Sequence, residues 1–439
     1  MLNMGLKGLL AALAGTAMLA LAGCSTPCDA PGRLCAPIES NTSMPPSHPR
    51  AAPSALAAPR VEPVRAQTPR LEPASVQTMP VEPPEAIGRT SDIRIALMLP
   101  LHSDVLGAPA AALRAGFMAA YQVDPAGFTV NLVETGDSAQ DTLDAYAAAL
   151  AQNDLVVGPL ARSAVSALAA STLVRKPTIA LNHPEARAGA PVLPPQMLVI
   201  GLSIEDEARQ VADWAAAEHP GGAALIVVGS STWQRRIAAS FTARWQQLGQ
   251  TSQVVELGDA NGILGDAALG QLRGQAEAHA PALLFAALDA GQASQVRAAL
   301  GAKLPCYGTS SVNPGTGPDA GLAQLDGLRL LDLPWEVQPE HQAVMVYPRW
   351  TSSGHTLDMD RLYALGIDAF RVAREVALRP GANFQLDGVT GRLSVSTGAS
   401  AGAARFERIQ PGAVYQGGAF TLVPALGPAL VPTPVPERR

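Results

Sequence analysis

Ile93-Arg94-Ile95-Ala96-Leu97-Met98-Leu99-Pro100 is the stretch on which the fold turns. It is apolar apart from Arg94, does not alternate, and stops at a proline, which cannot donate to a ladder. Such a run suits a strand buried on both faces. A helical pattern follows at Ala110 to Tyr121, then a strand at Phe128 to Val133 and a helix at Asp141 to Gln152. Leu155 to Val157 reads as a strand, Arg162 to Ser171 as a helix and Pro177 to Leu181 as a strand. Strands alternating with helices of this length predict βαβ units and a parallel sheet.

A second cycle opens at Ser203, which stands three residues before Asp206 at the head of an apolar-periodic run through Ala208, Val211, Ala212 and Ala215. That is a capping-box-like helix start. Gly221-Gly222 closes the helix. Strands are then expected at Ala224 to Val228, Val254 to Leu257, Ala282 to Ala287 and Pro305 to Gly308. Helices are expected at Gln234 to Leu248, Ala267 to Ala280 and Ala293 to Leu300. Two α/β blocks therefore follow one another. After Leu333 the pattern changes to a long helix, Met359 to Leu378, and then to short β-hairpins marked by Thr390-Gly391, Gly412, Gly417 and Gly418.

Upstream, Ser25 to Ser91 is rich in Pro, Ala, Ser and Thr. A segment of this composition cannot bury enough apolar surface to offset the entropy of ordering. Inside it Pro59-Arg60-Val61-Glu62-Pro63 recurs as Pro69-Arg70-Leu71-Glu72-Pro73 and as Met79-Pro80-Val81-Glu82-Pro83. Regular prolines favour extended polyproline II, so about 65 such residues reach at most on the order of 200 Å. The segment reads as a stalk.

The N-terminus carries Lys7, a short apolar run, and then Leu21-Ala22-Gly23-Cys24. Basic, apolar and small-residue regions in that order make a secretory signal. The run is too short to cross ~30 Å of hydrocarbon comfortably, and a plain span leaves the cysteine unexplained. The arrangement resembles a bacterial lipobox, which implies cleavage before Cys24 and acylation of its thiol and amino group. Ser25 rather than Asp follows, which by the same resemblance favours sorting to the outer membrane.

Of the four cysteines, Cys28 and Cys35 could close a loop in an oxidising compartment, while Cys306 follows Pro305 in a strand-like run and suits a small buried hydrophobe. No Cys/His spacing reads as a metal site, so no cofactor is expected beyond the lipid on Cys24. The net charge of −6 and the 4% aromatic content give no basic stripe or stacking platform for nucleic acid.

A search for catalytic machinery finds no dinucleotide fingerprint, P-loop, zincin helix or nucleophile elbow. Histidines 48, 183, 219 and 279 are scattered and read as surface or capping residues. Glu134 and Asp137 read as a solvated loop. In two-lobed α/β proteins, ligands lie beyond the strand C-termini, where helix N-termini offer free N–H groups. The candidate cleft residues on that argument are Leu101, Ser103, Gly158, Leu160, Ser163, Asn182, Thr309 and Ser310. They hold a small ligand or merely cap their helices and loops.

Several stretches together carry a resemblance. Ile95 to Leu101 followed by Arg114-Ala115-Gly116-Phe117 resembles the start of type I periplasmic-binding-protein folds. With Val156 to Leu160, Thr178 to Asn182, Gly201 to Ala212, Leu333-Pro334-Trp335, Arg361 to Phe370 and Gly388 to Leu393, the chain resembles the LppC/LpoA family of outer-membrane lipoprotein activators of penicillin-binding proteins. The resemblance implies an α/β, two-lobed fold with parallel sheets flanked by helices. It divides the chain into a signal peptide (1–23), a lipidated Pro-rich linker (24–91), a binding-protein-like domain (92–423) and a Pro-rich tail (424–439). Lobe 1 covers about 92–202 and lobe 2 about 203–333, with later segments completing both. Better-known members place a helical TPR-like domain where this chain has the stalk.

The function implied is non-enzymatic activation of a class A penicillin-binding protein in peptidoglycan synthesis, from an outer-membrane anchor facing the periplasm. The alternative is a solute receptor that holds an amino acid or wall fragment between the lobes. Receptors of the amino-acid type use a hydroxyl pair after the Gly-Pro loop. Here those slots hold Leu160, Ala161 and Arg162, with only Ser163 as a hydroxyl.

Overall fold

The computed structural model describes residues 92–185, 192–316, 323–351, 355–396 and 404–424. The signal segment, Cys24, Cys28, Cys35, the stalk repeat and the tail from 425 lie outside the described residues. The chain runs β1 (Ile93–Leu99), α1 (Gly107–Val123), β2 (Phe128–Glu134), α2 (Ala139–Gln152), β3 (Leu155–Val157), α3 (Arg162–Ala170), β4 (Thr178–Ala180) and β5 (Met197–Val199). These strands form a parallel sheet in the order β2-β1-β3-β4-β5.

Helix α4 (Ile204–Glu218) leads to β6 (Ala224–Val228), α5 (Thr232–Gln247), β7 (Ser252–Glu256), a small hairpin of β8 (Asp259–Ala260) and β9 (Ile263–Leu264), and α6 (Asp266–His279). Next come β10 (Leu283–Ala287), α7 (Ala290–Leu300), β11 (Cys306–Gly308) and β12 (Leu328–Leu331). The second sheet runs parallel as β7-β6-β10-β11-β12, so the strand order of the first sheet recurs.

The chain then passes through α8 (Pro334–Val337), α9 (Gln342–Met345) and the long α10 (Leu357–Leu378). β13 (Phe384–Asp387), β14 (Arg392–Ser396) and β15 (Arg405–Ile409) form an antiparallel sheet. β16 (Gly412–Gln416) and β17 (Ala419–Leu422) extend the second sheet antiparallel to β12. This is the expected α/β fold with parallel sheets between helices. Among the described residues no helix is long and apolar enough to cross a membrane.

β1 explains its own sequence. Ile95, Leu97 and Leu99 face one core with α1 and α10, while Ala96 and Met98 face another with α2 and α3, and all five are fully buried. Each large side chain so buried contributes roughly 1.5–3 kcal/mol. β6 repeats the arrangement, with Leu225 and Val227 on one side and Ala224, Ile226 and Val228 on the other.

Helix α10 follows the parallel strands of the second sheet in sequence but packs on the first sheet. It crosses α1 where a Cβ on Gly116 would overlap the Tyr363 carbonyl and one on Gly366 would overlap the Leu113 carbonyl. Phe370 of α10 meets Phe117 and Phe128 edge-on, at ring-centroid distances of 5.3 and 6.2 Å. Strands β5, β8, β9 and β12 were not expected from the sequence; all are five residues or shorter. Gly417-Gly418 is the two-residue hairpin loop expected there, with φ of 60° and 82° as the primed turns require. Gly412 is instead the first residue of β16, lying against the Trp214 ring where a side chain would crowd it.

Candidate functional site

The strand ends of the second lobe are occupied by the protein itself. α5 begins with a capping box of Ser231 and Gln234, and α7 with one of Asp289 and Gln292. Both boxes satisfy N–H groups that a helix start otherwise leaves open. The two glutamines then meet: Gln234 Nε2 donates to Gln292 Oε1 at 2.5 Å, with both residues buried. β6 and β10 are neighbours where the strand order reverses, the usual place for a ligand crevice. Here an amide pair stands at that point.

Thr309 and Ser310 are likewise engaged. Thr309 Oγ1 lies 2.9 Å from Ser311 Oγ, which donates to the Leu288 carbonyl at 2.8 Å. Ser310 donates through its backbone N (3.0 Å) and its hydroxyl (2.7 Å) to Oε2 of Glu207 on α4. Glu207 is buried, which pushes its carboxyl above the usual carboxylate range, and the nearby charge of Asp332 adds to the effect.

The first lobe differs. Neither α1 nor α3 has a side-chain N-cap at Leu106 or Ala161. Ser103 Oγ accepts from the N–H groups of Val105 and Leu106 in the turn before α1. Gly158 is buried and donates its N–H to the Ile179 carbonyl at 2.8 Å. Leu160 belongs to the hydrophobic core at 4% exposure, so its side chain is withheld from the cleft. Asn182 Nδ2 donates to the Leu160 carbonyl at 3.1 Å, which brings these two candidates together. Ser163 is exposed in the first turn of α3. His183 is half-buried, its Nε2 3.2 Å from the Gly201 carbonyl, and burial lowers its pKa.

The strongest polar structure is one the sequence did not single out. The chain passes between the lobes three times, after β5, after β12 and after β15, and each passage is bonded to another element. Arg361 of α10 clasps Asp332, with Nη2–Oδ2 at 2.7 Å and Nε–Oδ1 at 3.1 Å, and also donates to the Ser310 carbonyl at 2.9 Å. Arg408 of β15 donates to the carbonyls of Ile200 (2.7 Å) and Gly201 (3.0 Å) and to Thr390 Oγ1 (3.0 Å). Thr390 in turn donates to buried Asp368. Gln210 of α4 donates to the Arg408 carbonyl and accepts from the Gln410 N–H. The only sequence signal was that several of these residues fall inside the stretches quoted for the family resemblance.

Two cavities accompany this frame. One, of about 310 Å³, lies behind the first crossing between α4 and β15, among charges of both signs such as Asp206, Arg209 and Glu407. The other, of about 630 Å³, lies on the first lobe between α1 and residues 348–351. Of the eight candidate cleft residues, only Leu101 lines either one. Among the described residues no group of three or more His, Cys, Asp or Glu side chains is placed to hold a metal ion. Cys306 is buried, and burial pushes its thiol up to about 11.

Known proteins align with this frame. Curated relatives named "Penicillin-binding protein activator LpoA" include one from Photobacterium profundum, 26% identical over 336 residues, covering 69% of this chain and 53% of the relative. The one from Haemophilus influenzae is 26% identical over 359 residues, covering 76% and 56%. The chain thus spans about half the length of these relatives. Among solved structures, the "LpoA (YraM) C-domain from Haemophilus influenzae, a regulator of PBP1A" shares the fold at TM-score 0.59 and 23% identity, covering 75% of this chain and 99% of that one. A structure titled "putative branched-chain amino acid ABC transporter" from Chromobacterium violaceum matches at TM-score 0.59 and 35% identity, covering 74% of this chain and all of that one. The family model described as "LppC putative lipoprotein" matches residues 66–401, and the chain belongs to that family.

Proposed function

We propose that this protein is an outer-membrane lipoprotein, acylated on Cys24 and facing the periplasm, that binds and activates a class A penicillin-binding protein without catalysing a reaction itself. The observation that carries the reading is the match to relatives named as penicillin-binding protein activators. The internal use of Ser310, Thr309 and the Gln234–Gln292 pair supports it, because polar groups that a receptor would offer to a solute are spent on contacts inside the second lobe. The linker supplies reach, and tethering raises the effective concentration of the domain at the synthase. Activation follows if the domain binds an active synthase conformation more tightly than an inactive one. No cofactor and no nucleic acid enter this scheme.

The test is glycan polymerisation and cross-linking by a purified class A synthase, with and without the full lipidated chain in detergent. The reading expects a rate increase and co-purification; no change in rate and no capture of any synthase would sink it.

A second reading is favoured by one observation, the 35% identity to the structure described as a branched-chain amino acid ABC transporter. It makes the protein a solute receptor with Ser163 and the uncapped start of α3 at the ligand. A thermal-shift screen with amino acids and muropeptides separates the two. A ligand at a hundredfold its Kd stabilises by about 2.7 kcal/mol.

A further inference from the structure

The first-lobe cavity is used by neither reading. Its volume of about 630 Å³ falls within the range of small-ligand sites, roughly 300–1,000 Å³. One wall is a stripe of α1, in which Arg114, Ala115 and Met118 recur at helical spacing on one face. The opposite wall is Trp350, whose ring lies nearly parallel to that of Tyr363 at 6.3 Å and 16°. Tyr363 Oη donates to the Pro348 carbonyl at 2.9 Å and so fixes this wall in place.

The lining carries charges of both signs. Arg114 is exposed and makes no hydrogen bond or ion pair among the described residues, although it lines the cavity. Glu134, at the end of β2, is paired with exposed His102 at 3.2 Å. Arg349 also lines the cavity but donates to the Trp335 carbonyl at 2.6 Å. Partly apolar walls with one unpaired cation and a carboxylate match a molecule that carries both charges on a partly apolar body.

We propose that this cavity binds a short apolar peptide with free ends. Arg114 takes the terminal carboxylate in two parallel N–H···O bonds, Met118 and Trp350 cover the side chains, and Glu134 receives the terminal ammonium. The cavity is distinct from the candidate interlobe residues except Leu101, and the assignment does not depend on the synthase reading.

The test is calorimetric titration of the full chain with the dipeptide Leu-Leu, its C-terminal amide, its N-acetyl form and octanoate. Leu-Leu is expected to bind saturably. The amide, and Leu-Leu on Arg114→Gln, are expected to bind at least tenfold more weakly, with Arg114→Lys recovering part of the loss. The N-acetyl form and octanoate are expected to bind several-fold more weakly than Leu-Leu. Arg114 is exposed, so an unchanged melting temperature of Arg114→Gln checks that the variant is folded. The proposal is overturned by no saturable binding of Leu-Leu at millimolar concentration. It is equally overturned by affinity unaltered in Arg114→Gln, or by octanoate binding as tightly as Leu-Leu.

Discussion

Arg361 and Asp332 form a two-pronged ion pair, 2.7 and 3.1 Å, in which the carboxylate is fully buried and the guanidinium nearly so. Asp332 directly follows the last parallel strand of the second lobe, and Arg361 stands on the helix that covers the first. Asn313 Nδ2 and the Leu333 N–H complete the carboxylate's partners at 2.7 and 2.8 Å.

Removing one member of a buried pair leaves the other charge uncompensated, at a typical cost of about 3–5 kcal/mol. Arg361→Met is expected to destabilise by about that much in urea unfolding. The double variant with Asp332→Asn should lose clearly less than the sum of the two single variants. Additive losses would mean that the pair is not the unit of stability.

At the α1–α10 crossing, Gly116→Ala and Gly366→Ala each place a methyl group against a backbone carbonyl that has no rotamer with which to move aside. Each is expected to cost about 1–3 kcal/mol by forcing the helices apart. Once one substitution has separated them the second meets less resistance, so the pair should cost less than the sum. Melting temperatures of the two singles and the double check this.

Glu336 gives a pH dependence. Burial, helped by the charge of Asp332 and opposed by Arg361, raises its carboxyl from an ordinary 4.5 to about 8. The folded protein therefore holds this proton more tightly than the unfolded chain does. Stability from this group is fully present below about pH 4.5 and falls as pH rises through about 8, where the folded carboxyl ionises. Glu336→Gln should flatten that part of the pH profile of the urea midpoint. A slope unchanged by the substitution would assign it to other groups.

Arg408 holds the first lobe crossing through the carbonyls of Ile200 and Gly201, and burial lowers its guanidinium to about 10, so it stays charged at neutral pH. Hydrogen bonds to a charged group are worth about 1.5–3 kcal/mol. Arg408→Met is expected to cost at least that and to speed amide hydrogen exchange at residues 201–203 and 405–410. Arg408→Lys should restore only part, because an ammonium lacks the planar fork.

The anchor is tested separately. Cys24→Ser is expected to abolish incorporation of labelled palmitate, while the uncleaved apolar signal segment keeps the variant on the membrane; label retained by the variant would count against acylation there.

The parallel sheets were legible because β1 and β6 are apolar on both faces, a pattern that only a doubly covered strand needs. The N-cap at Ser203 was legible because its chemistry is local: its hydroxyl accepts the Asp206 N–H at 3.1 Å. Short β5 and β12 were missed while β3, β4 and β11, which are no longer, were read, so length alone does not decide which strands are legible. The candidate cleft was read from strand ends alone, and that logic could not foresee that Gln234 and Gln292 meet, 58 positions apart. Arg361, Asp332 and Arg408 escaped for the same reason: a buried charge looks like a surface charge until its partner is placed. Arg408 meets the Ile200 carbonyl 208 residues away.

The placement of α10 and of β16–β17 also governs how the molecule is made. The first lobe lacks the helix that covers its core until residue 378 has been supplied, and the second sheet lacks its final strands until residue 422. Neither half is a finished unit when its first strands have been made. Both stay open until the last hundred or so residues arrive, and they close almost together. Such late closure makes the interval before it the time at which chaperones or proteases have their chance.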